Sequence, residues 1–285
     1  MKFPEFPEFH HEAMATSFAL VIADQSSEYA RQAATACFRE LDRLESELSR
    51  YVESSDIARA NRLNLGETIV IGEDALHCLL LAADASLATD RAFDAAYASE
   101  RAPTQAADAP LFTLDPAAHT LTSHTAQLHL DLGAIGKGYA LDRLAAVLAD
   151  WAITRACLHG GGSSVLALDP PAGQRGWPIG LGEDPDQRIL SLTRCALSGS
   201  GLAVQGEHLV DPRTQATAQR RDRTWALAPS AGLSDALSTA FFVFTDAEVA
   251  AFCAAHPHVG AALTHANGNG NGKLITHGAL TARLA

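Results

Sequence analysis

The sequence predicts a single α+β domain, and three observations lead to this prediction. Of the 285 residues, 47% are hydrophobic, which is enough to bury one large core. Apolar residues recur at helical spacing in two long stretches of the first half, whereas the second half carries several short strand-like runs. Strands and helices are interspersed without strict alternation, which favours α+β. We expect one domain over residues 1–285, with residues 1–13 flexible.

The first half of the chain alternates short apolar runs with long amphipathic stretches. It is predicted to form a strand over 14–23, a helix over 27–52, a short helix reaching 61, a strand over 67–71 and a helix over 74–89. Ser54 or Ser55 is expected to cap the short helix, because a serine oxygen there can accept a hydrogen bond from a free backbone N–H.

The second half is predicted to contain most of the strands. The expected elements are strand-like segments within 111–132, a helix over 138–151, strands over 154–158 and 165–168, several antiparallel strands within 177–212, and helices over 234–244 and 246–256. Ser234 is expected to cap the first of the last two helices. The stretch "NGNGNG", 267–272, is expected to be a flexible hairpin or loop between the closing strands.

Charge and cysteine usage disfavour several functional classes. The formal net charge is -12 with 21 Lys+Arg, so no broad basic surface is available for a nucleic-acid backbone or an anionic membrane. The 5 cysteines are odd in number and widely spaced, which disfavours a disulfide framework or a zinc site. We therefore expect no nucleic-acid partner.

The beginning of the chain, "MKFPEFPEFHHEAMATSF", does not resemble a secretion signal. It carries prolines and glutamates where a signal needs a basic start and an apolar run, and no stretch of the chain is long and apolar enough to span a bilayer. As written, the chain is expected to be cytoplasmic with no membrane segment. It would be periplasmic if a leader or lipoprotein signal had been removed.

The stretch "DLGAIGKGYALD", 131–142, joins a strand-like pattern to the start of a predicted helix. Its three glycines allow a ligand to approach the backbone, and the N–H groups of a helix start attract anions. Lys137 adds a compact positive charge suited to phosphate. The stretch matches neither a Walker loop nor GxGxxG. The alternative is a glycine-rich turn with a solvated lysine.

A second candidate is "SDALSTAFF", 234–242, in which Asp235 and Thr239 lie four residues apart and hence on one helical face. A carboxylate and a hydroxyl so placed offer two hard oxygen ligands to Mg²⁺. In the alternative interpretation Asp235 is a second capping residue and Thr239 bonds back to a helix carbonyl.

Two further stretches could carry chemistry. In "GEHLVDPRT", 206–214, His208 could take a proton near neutral pH, and Asp211–Arg213 form a predicted turn. A lone histidine is more often structural, and this chain has 12. The glycine-rich "LHGGGSSV", 158–165, could approach a planar ligand closely or merely turn the chain.

Taken together, these stretches resemble the ApbE family of flavin-trafficking enzymes, over almost the whole chain. The similarity lies in the order of the motifs, which are "MATSF" (family pattern MGTxF), "SRYVESSDIARAN", "AFDAAYA", "DLGAIGKGYALD", "HGGGSSVLAL", "ALSGSG", "EHLVDPRT" and "SDALSTAFFVF". The glycine-lysine and Asp-x-x-x-Thr motifs are the most specific of them. The resemblance implies one ApbE-like, T-fold-like domain with mixed or antiparallel sheets and flanking helices.

Site residues follow from the resemblance position by position. It implies FAD contacts at Met14, Tyr51, Ala92, Phe93, Asp94, Asp131, Lys137 and the backbone near Leu209. It implies a Mg²⁺ site formed by the carbonyl of Ala134 and the side chains of Asp235 and Thr239, helped by Ser238. His208 is the first candidate for the base and Asp211 the second.

The activity implied is that of an FAD:protein FMN transferase, with FAD as substrate and an acceptor flavoprotein as partner. FMN would pass to a threonine hydroxyl of the acceptor and AMP would leave, while Mg²⁺ and Lys137 neutralise the charge that develops on the diphosphate. Water in place of threonine would give an FAD pyrophosphatase. The remaining alternatives are a non-catalytic flavin-binding protein and a structural homologue that binds no flavin.

The chain departs from the family pattern at several positions. Ala15 replaces the glycine of MGT, and Gln215 stands where glycine is common. His159 and Ser163 replace the usual Asn and Asp beside the double glycine, and the threonine that usually follows the AFD segment is absent. The lysine, the histidine and both proposed metal-binding side chains are retained.

Overall fold

An eight-stranded antiparallel sheet forms the centre of the fold, in the order β1-β2-β6-β7-β10-β11-β12-β13. The computed structural model describes residues 6–101, 106, 109–182, 187–201, 210–216, 221–265 and 273–284. The strands of the sheet are β1 (Glu8–Ala13), β2 (Thr16–Ile22), β6 (Ala156–Gly160), β7 (Ser164–Ala167), β10 (Cys195–Gly201), β11 (Arg221–Ala228), β12 (Gly260–His265) and β13 (Ile275–Gly278).

The other elements are two small sheets and the helices. The small sheets are β3-β5-β4, from Thr68–Val70, Thr120–Ser123 and Phe112–Asp115, and β8-β9, from Trp177–Leu181 and Arg188–Leu192. The described helices are α1 (Ser27–Leu48), α2 (Asp56–Ala60), α3 (Glu73–Ala88), α4 (Gly136–Asp150), α5 (Ala231–Val243), α6 (Asp246–Ala255) and α7 (Ala279–Leu284). The predicted α+β class is confirmed.

Strand β2 shows how the large sheet is buried on both faces. Phe18, Leu20 and Ile22 join the apolar cluster formed with α1, α4 and α5. Val21 and Ala23 belong to the opposite cluster, which includes the β8-β9 hairpin. Successive strand residues point to opposite faces, so a strand covered on both sides is apolar throughout. This explains the continuous apolar run that predicted β2.

The expectation of a flexible N-terminal segment fails for residues 8–13, which form β1 on the edge of the sheet. Ala13 pairs with Thr16, and the turn between the two strands consists of Met14 and Ala15. The backbone N–H of Met14 donates to Glu45 Oε1 at 2.8 Å, which ties this turn to α1. Strand β1 is half-buried and polar, and this weakened its sequence signal.

Replacing Ala15 by glycine is expected to stabilise the protein. Both turn residues have positive φ, 52° at Met14 and 56° at Ala15, and a two-residue hairpin turn of this kind favours glycine. The left-handed conformation costs about 1–2 kcal/mol at a non-glycine residue, and glycine loses about 0.5–1 kcal/mol more in backbone entropy on folding. The net gain for A15G is therefore roughly 0.5–1 kcal/mol, measured as a higher urea midpoint.

The matched control for A15G is A13G. Ala13 lies within β1, outside the turn, so glycine there should lower stability. A lower urea midpoint for A15G than for the wild type would contradict the assignment of strain to this turn.

Two serines test the predicted helix caps. Ser55 caps α2 as predicted, since its Oγ accepts from the N–H of Ala58 at 3.0 Å. The prediction for Ser234 is wrong: α5 begins one turn earlier, and Ser230 Oγ accepts from Leu233 N–H at 3.4 Å. Ser234 instead donates from within the helix to the carbonyl of Ala226 at 2.7 Å. Both serines fit the cap pattern locally, so the pattern alone did not distinguish them.

Two segments differ from the sequence prediction. In the first, a side chain forms the backbone hydrogen bonds that a neighbouring strand would form, and in the second, charged residues obscure the strand pattern. The strand-like pattern was predicted to reach residue 132, but residues 128–132 form no strand. The side-chain amide of Asn61 bonds the N–H of Leu130 at 2.6 Å and its carbonyl at 2.9 Å, in place of a neighbouring strand. Strand β11 lacked a clear signal because it starts with charged residues. Arg221 is nonetheless 1% exposed and donates to the carbonyl of Phe241 and to Asp246.

Three further expectations concern the cysteines, membrane-spanning helices and the stretch 267–272. All five cysteines are buried and free. Among the helices of the described ranges, none has both the length and the apolar character needed to cross a membrane. The stretch 267–272 lies outside the described residues.

Candidate active site

A cleft of about 850 Å³ opens at the turn between β1 and β2, beside the N-terminus of α4. Nine of the predicted site residues line it, namely Met14, Tyr51, Ala92, Phe93, Asp94, Asp131, Ala134, Lys137 and Thr239. Two predicted residues, His208 and Leu209, lie outside the described residues. The structure therefore brings together positions that are far apart in the sequence.

The loop before α4 is shaped by Asp131. Its Oδ1 accepts from the N–H of Gly133 at 2.9 Å, and its Oδ2 lies 3.1 Å from Arg50 Nη1. The N–H of Asp131 donates to the carbonyl of Ala95 at 2.8 Å. These bonds connect the loop to Arg50 and Ala95, which line two other walls of the cleft, and fix the loop backbone beside the cavity.

Lys137 is not a solvated lysine. Its side chain is 20% exposed, its Nζ donates to the carbonyl of Gly133 at 3.1 Å, and its Nζ lies 3.5 Å from Asp235 Oδ2. The residue stands in the first turn of α4, where the N-terminal end of the helix dipole adds partial positive charge, while the N–H groups of Gly136 and Gly138 donate to Leu132 and Asp235. The ammonium group and the helix start thus place positive charge at this wall of the cleft, next to the Asp235 carboxylate, and a phosphate could bind to that charge.

Helices α4 and α5 meet at their N-terminal ends. Asp142 of α4 accepts from the N–H groups of Ala231 and Gly232, both at 2.8 Å, and so satisfies the first donors of α5. Gly138 lies against the same turn, where a Cβ would overlap the carbonyl oxygen of Ala231. The second glycine after the loop is therefore required by the close approach of two helices.

Asp235 is 3% exposed and both of its carboxylate oxygens have partners. Oδ1 accepts from Ser164 Oγ at 2.6 Å, and Oδ2 accepts from the N–H of Gly138 at 3.0 Å. Because Ser230 and Asp142 cap α5, the alternative interpretation of Asp235 as a capping residue is wrong. The carboxylate instead links α5 to β7 and to the first turn of α4.

Thr239 lies one turn after Asp235 and lines the cleft. Its Oγ1 is 3.3 Å from Ser200 Oγ. Ser238 is 1% exposed, and its hydroxyl donates to the carbonyl of Asp235 at 2.8 Å and contacts Ser200 Oγ at 2.8 Å. The Ser238 hydroxyl is thus bonded to the helix backbone and to Ser200. Its role as a metal ligand stays a prediction.

The oxygen donors at this corner suit a small divalent cation. A carboxylate and a hydroxyl are hard ligands of the kind that Mg²⁺ prefers, and Asp235 Oδ2 already faces the Lys137 ammonium group. Within the described part of the chain, no group of three or more His, Cys, Asp or Glu side chains is placed to hold a metal. Mg²⁺ in proteins commonly takes its remaining ligands from water and from substrate phosphates.

The rim of the cleft carries an aromatic and a cationic side chain side by side. Tyr51 is 80% exposed, and the Arg50 guanidinium lies 4.8 Å from its ring centroid. Arg50 and Tyr97 also line the cleft, and sequence reasoning missed both. The position of Arg50 directly before Tyr51 was the available signal. This rim offers a surface on which an aromatic ring could stack.

On the wall formed by 92–95, burial raises the pKa of Asp94 above its ordinary value, partly offset by a hydrogen bond from the N–H of Ala96. That bond is 2.8 Å long and accepts at Asp94 Oδ1. Asp94 Oδ2 is not part of this hydrogen bond. This side chain is thus fixed in a turn that faces the cavity.

Asp211 is poorly placed to act as a base. Both of its oxygens accept hydrogen bonds from Arg213, at 3.0 and 3.1 Å, and its neighbours Val210 and Pro212 line the cleft.

Gln215 has a φ of 59°, so it keeps the left-handed backbone that favours glycine, as Ala15 does. Two departures from glycine thus retain the same backbone conformation at a cost in strain.

The chain is similar to known proteins in sequence and in fold. The sequence pattern of the ApbE family matches residues 14–263. A curated FAD:protein FMN transferase of Treponema pallidum (strain Nichols) is 31% identical over 150 residues, and this match spans 45% of the chain but only 41% of that relative.

Solved structures resemble the whole chain in fold. A flavin transferase ApbE from Vibrio cholerae superposes with a TM-score of 0.82 at 19% identity, covering 98% of this chain and 99% of that one. A flavinyl transferase ApbE from Pseudomonas stutzeri in its apo form gives 0.82 at 19% identity, covering 98% and 96%. An ApbE protein from Thermotoga maritima gives 0.81 at 22% identity, covering 98% and 99%. These similarities establish the fold.

Proposed function

The chain belongs to the ApbE family, and from this premise we propose that it is an FAD:protein FMN transferase. The cleft carries the proposal, because nine residues predicted for flavin and cation binding line one cavity of about 850 Å³. A cavity of this size is in the range that holds small molecules and cofactors. The name of the Treponema pallidum relative supports the same reaction.

FAD would lie with its diphosphate at the positive wall. Lys137, at the positive end of the α4 dipole, would hold the phosphate oxygens, and Tyr51 with Arg50 would stack against a ring of the dinucleotide. Asp235, Thr239 and the carbonyl of Ala134 would hold Mg²⁺. When bound, that cation would neutralise charge on the diphosphate.

The chemistry proposed is transfer of FMN to a threonine hydroxyl of an acceptor protein. The threonine oxygen forms a bond to the FMN phosphorus, the bond from that phosphorus to the bridging oxygen breaks, and AMP leaves with that oxygen. The proton of the hydroxyl goes to a base, for which His208 remains our candidate. Asp211 is less suited because Arg213 engages both of its oxygens.

The test is an incubation of the purified chain with FAD and Mg²⁺, with and without an apo flavoprotein that carries FMN on a threonine. The proposal expects AMP release and covalent flavin on the acceptor, seen as in-gel fluorescence and a mass shift. The acceptor with its target threonine replaced by alanine is the matched control, and EDTA tests the need for a metal. AMP without acceptor would indicate an FAD pyrophosphatase, and bound FAD without AMP a flavin-binding protein.

A further inference from the structure

Four hydroxyl side chains form a row on the face of the sheet that packs against α5. They are Ser164 on β7, Ser198 and Ser200 on β10, and Thr224 on β11. The strand register pairs Ser198 with Ser164 on one side and Ser200 with Thr224 on the other. Each is at most 6% exposed, which is uncommon for hydroxyl groups.

Two members of this row contact the two side chains proposed to hold the cation. Ser164 Oγ donates to Asp235 Oδ1 at 2.6 Å. Ser200 Oγ lies 3.3 Å from Thr239 Oγ1 and 2.8 Å from Ser238 Oγ. A buried hydroxyl costs free energy unless it is hydrogen-bonded, so these contacts fix the orientation of both partners.

The direction of the hydrogen bonds at Thr239 follows from proton counting, since each hydroxyl has one proton. The hydroxyl of Ser238 donates its one proton to the carbonyl of Asp235. It must therefore accept from Ser200, whose own proton is then used. Ser200 can only accept from Thr239, which leaves the lone pairs of the Thr239 oxygen free for a ligand in the cleft.

Ser164 fixes the orientation of the Asp235 carboxylate in a similar way. Ser164 occupies Oδ1, and this bond directs Oδ2 towards the start of α4, where Oδ2 accepts from the N–H of Gly138 at 3.0 Å and lies 3.5 Å from Lys137 Nζ. Oδ2 is thus the oxygen nearest the Lys137 ammonium group, and beside its bond from Gly138 it keeps a lone pair that a cation could take. Two serines on separate strands therefore set the direction of both candidate ligand oxygens.

We propose that Ser164 and Ser200 are positioning residues for a divalent cation, Ser164 by orienting the Asp235 carboxylate and Ser200 by making the Thr239 hydroxyl a hydrogen-bond donor. This inference rests on the proposed function for the location of the cation at Asp235 and Thr239. It does not depend on which group accepts FMN. Residues behind the ligands of a metal commonly change its affinity by about 10–100-fold when they are replaced.

Ser198 provides a matched control. It lies on the same strand and the same face, it is fully buried, and its hydroxyl has no hydrogen-bond partner among the described residues. S198A removes the same atom as S164A and S200A from the same layer. It should leave cation binding unchanged within about 2-fold, since no proposed ligand is oriented by it.

The experiment measures Mn²⁺ affinity by electron paramagnetic resonance, using the full chain with ADP as a diphosphate that carries no flavin to transfer. S164A and S200A should each weaken Mn²⁺ binding about 10-fold, with FAD affinity in EDTA, followed by flavin fluorescence, unchanged. A merely structural role would lower both affinities together. Thermal unfolding of each variant checks that the fold is retained.

Two results would overturn the proposal: wild-type Mn²⁺ affinity in both S164A and S200A, or a loss in S198A as large as theirs. Absence of Mn²⁺ binding to the wild type with ADP would also overturn it. Failure of the proposed function is distinct, because the wild type would then bind Mn²⁺ with the expected serine dependence while transferring no FMN to the acceptor.

Discussion

Replacing Asp235 by asparagine is expected to lower Mg²⁺-dependent AMP release from FAD by about 100-fold or more, a loss comparable to removing one group that stabilises developing charge. Asp235 is the buried carboxylate at the corner where Lys137, the start of α4 and Thr239 meet. Asparagine has a similar shape and keeps one oxygen for the Ser164 bond, but it lacks the negative charge that would hold the cation. FAD affinity should fall much less, because most walls of the cleft are untouched.

The measurement is AMP release against Mg²⁺ concentration, with FAD binding and thermal unfolding measured in parallel. Asp84, exposed on α3, gives the matched control, since D84N removes the same charge away from the cleft. Unchanged AMP release in D235N at limiting Mg²⁺ would reject Asp235 as the cation ligand.

Replacing Gly138 by alanine is expected to lower the free energy of unfolding by about 3 kcal/mol or more, at the upper end for an overpacked site. The added Cβ would overlap the carbonyl oxygen of Ala231 and lie 2.8 Å from the backbone nitrogen of Gly232. Backbone atoms cannot rotate away as a side chain can, so α4 and α5 must separate. The two Asp142 bonds that cap α5 and the bond from Gly138 N–H to Asp235 would then lengthen.

Urea unfolding compares G138A with G136A, two residues earlier in the same helix. A Cβ at Gly136 would meet only the Cβ of Leu132 at 3.7 Å, an ordinary contact, so alanine there should be neutral or stabilising by up to about 1 kcal/mol. Equal stability of G138A and the wild type would contradict the close approach of the two helices.

Much of the lining of the candidate site was predictable because its residues belong to motifs that can be recognised locally. Lys137 follows a glycine at a predicted helix start, and Asp235 with Thr239 shows the spacing of one helical turn. The sequence also predicted α1 to α4 and the cap at Ser55 from periodicity and cap chemistry. Order along the chain then indicated which motifs belong to one cleft.

What the sequence did not predict depends on contacts between distant residues. The bond of Ser164 to Asp235 spans 71 residues and that of Ser200 to Ser238 spans 38, so no periodic pattern reveals them. Strand β11 begins with charged residues, and its contacts with Asp246 and the carbonyl of Phe241 explain why Arg221 can be buried in a central strand. The role of Gly138 likewise becomes clear only when α5 is placed against α4.

The most direct test of the account is a crystal structure of the full chain with Mn²⁺ and ADP, in which the anomalous signal locates the cation. We expect one peak in contact with Asp235 Oδ2, Thr239 Oγ1 and diphosphate oxygens, with Lys137 Nζ on the phosphates. Asp235 Oδ1 should still accept from Ser164. A peak elsewhere in the cleft, with Asp235 bonded only to Ser164, Gly138 and Lys137, would contradict the account.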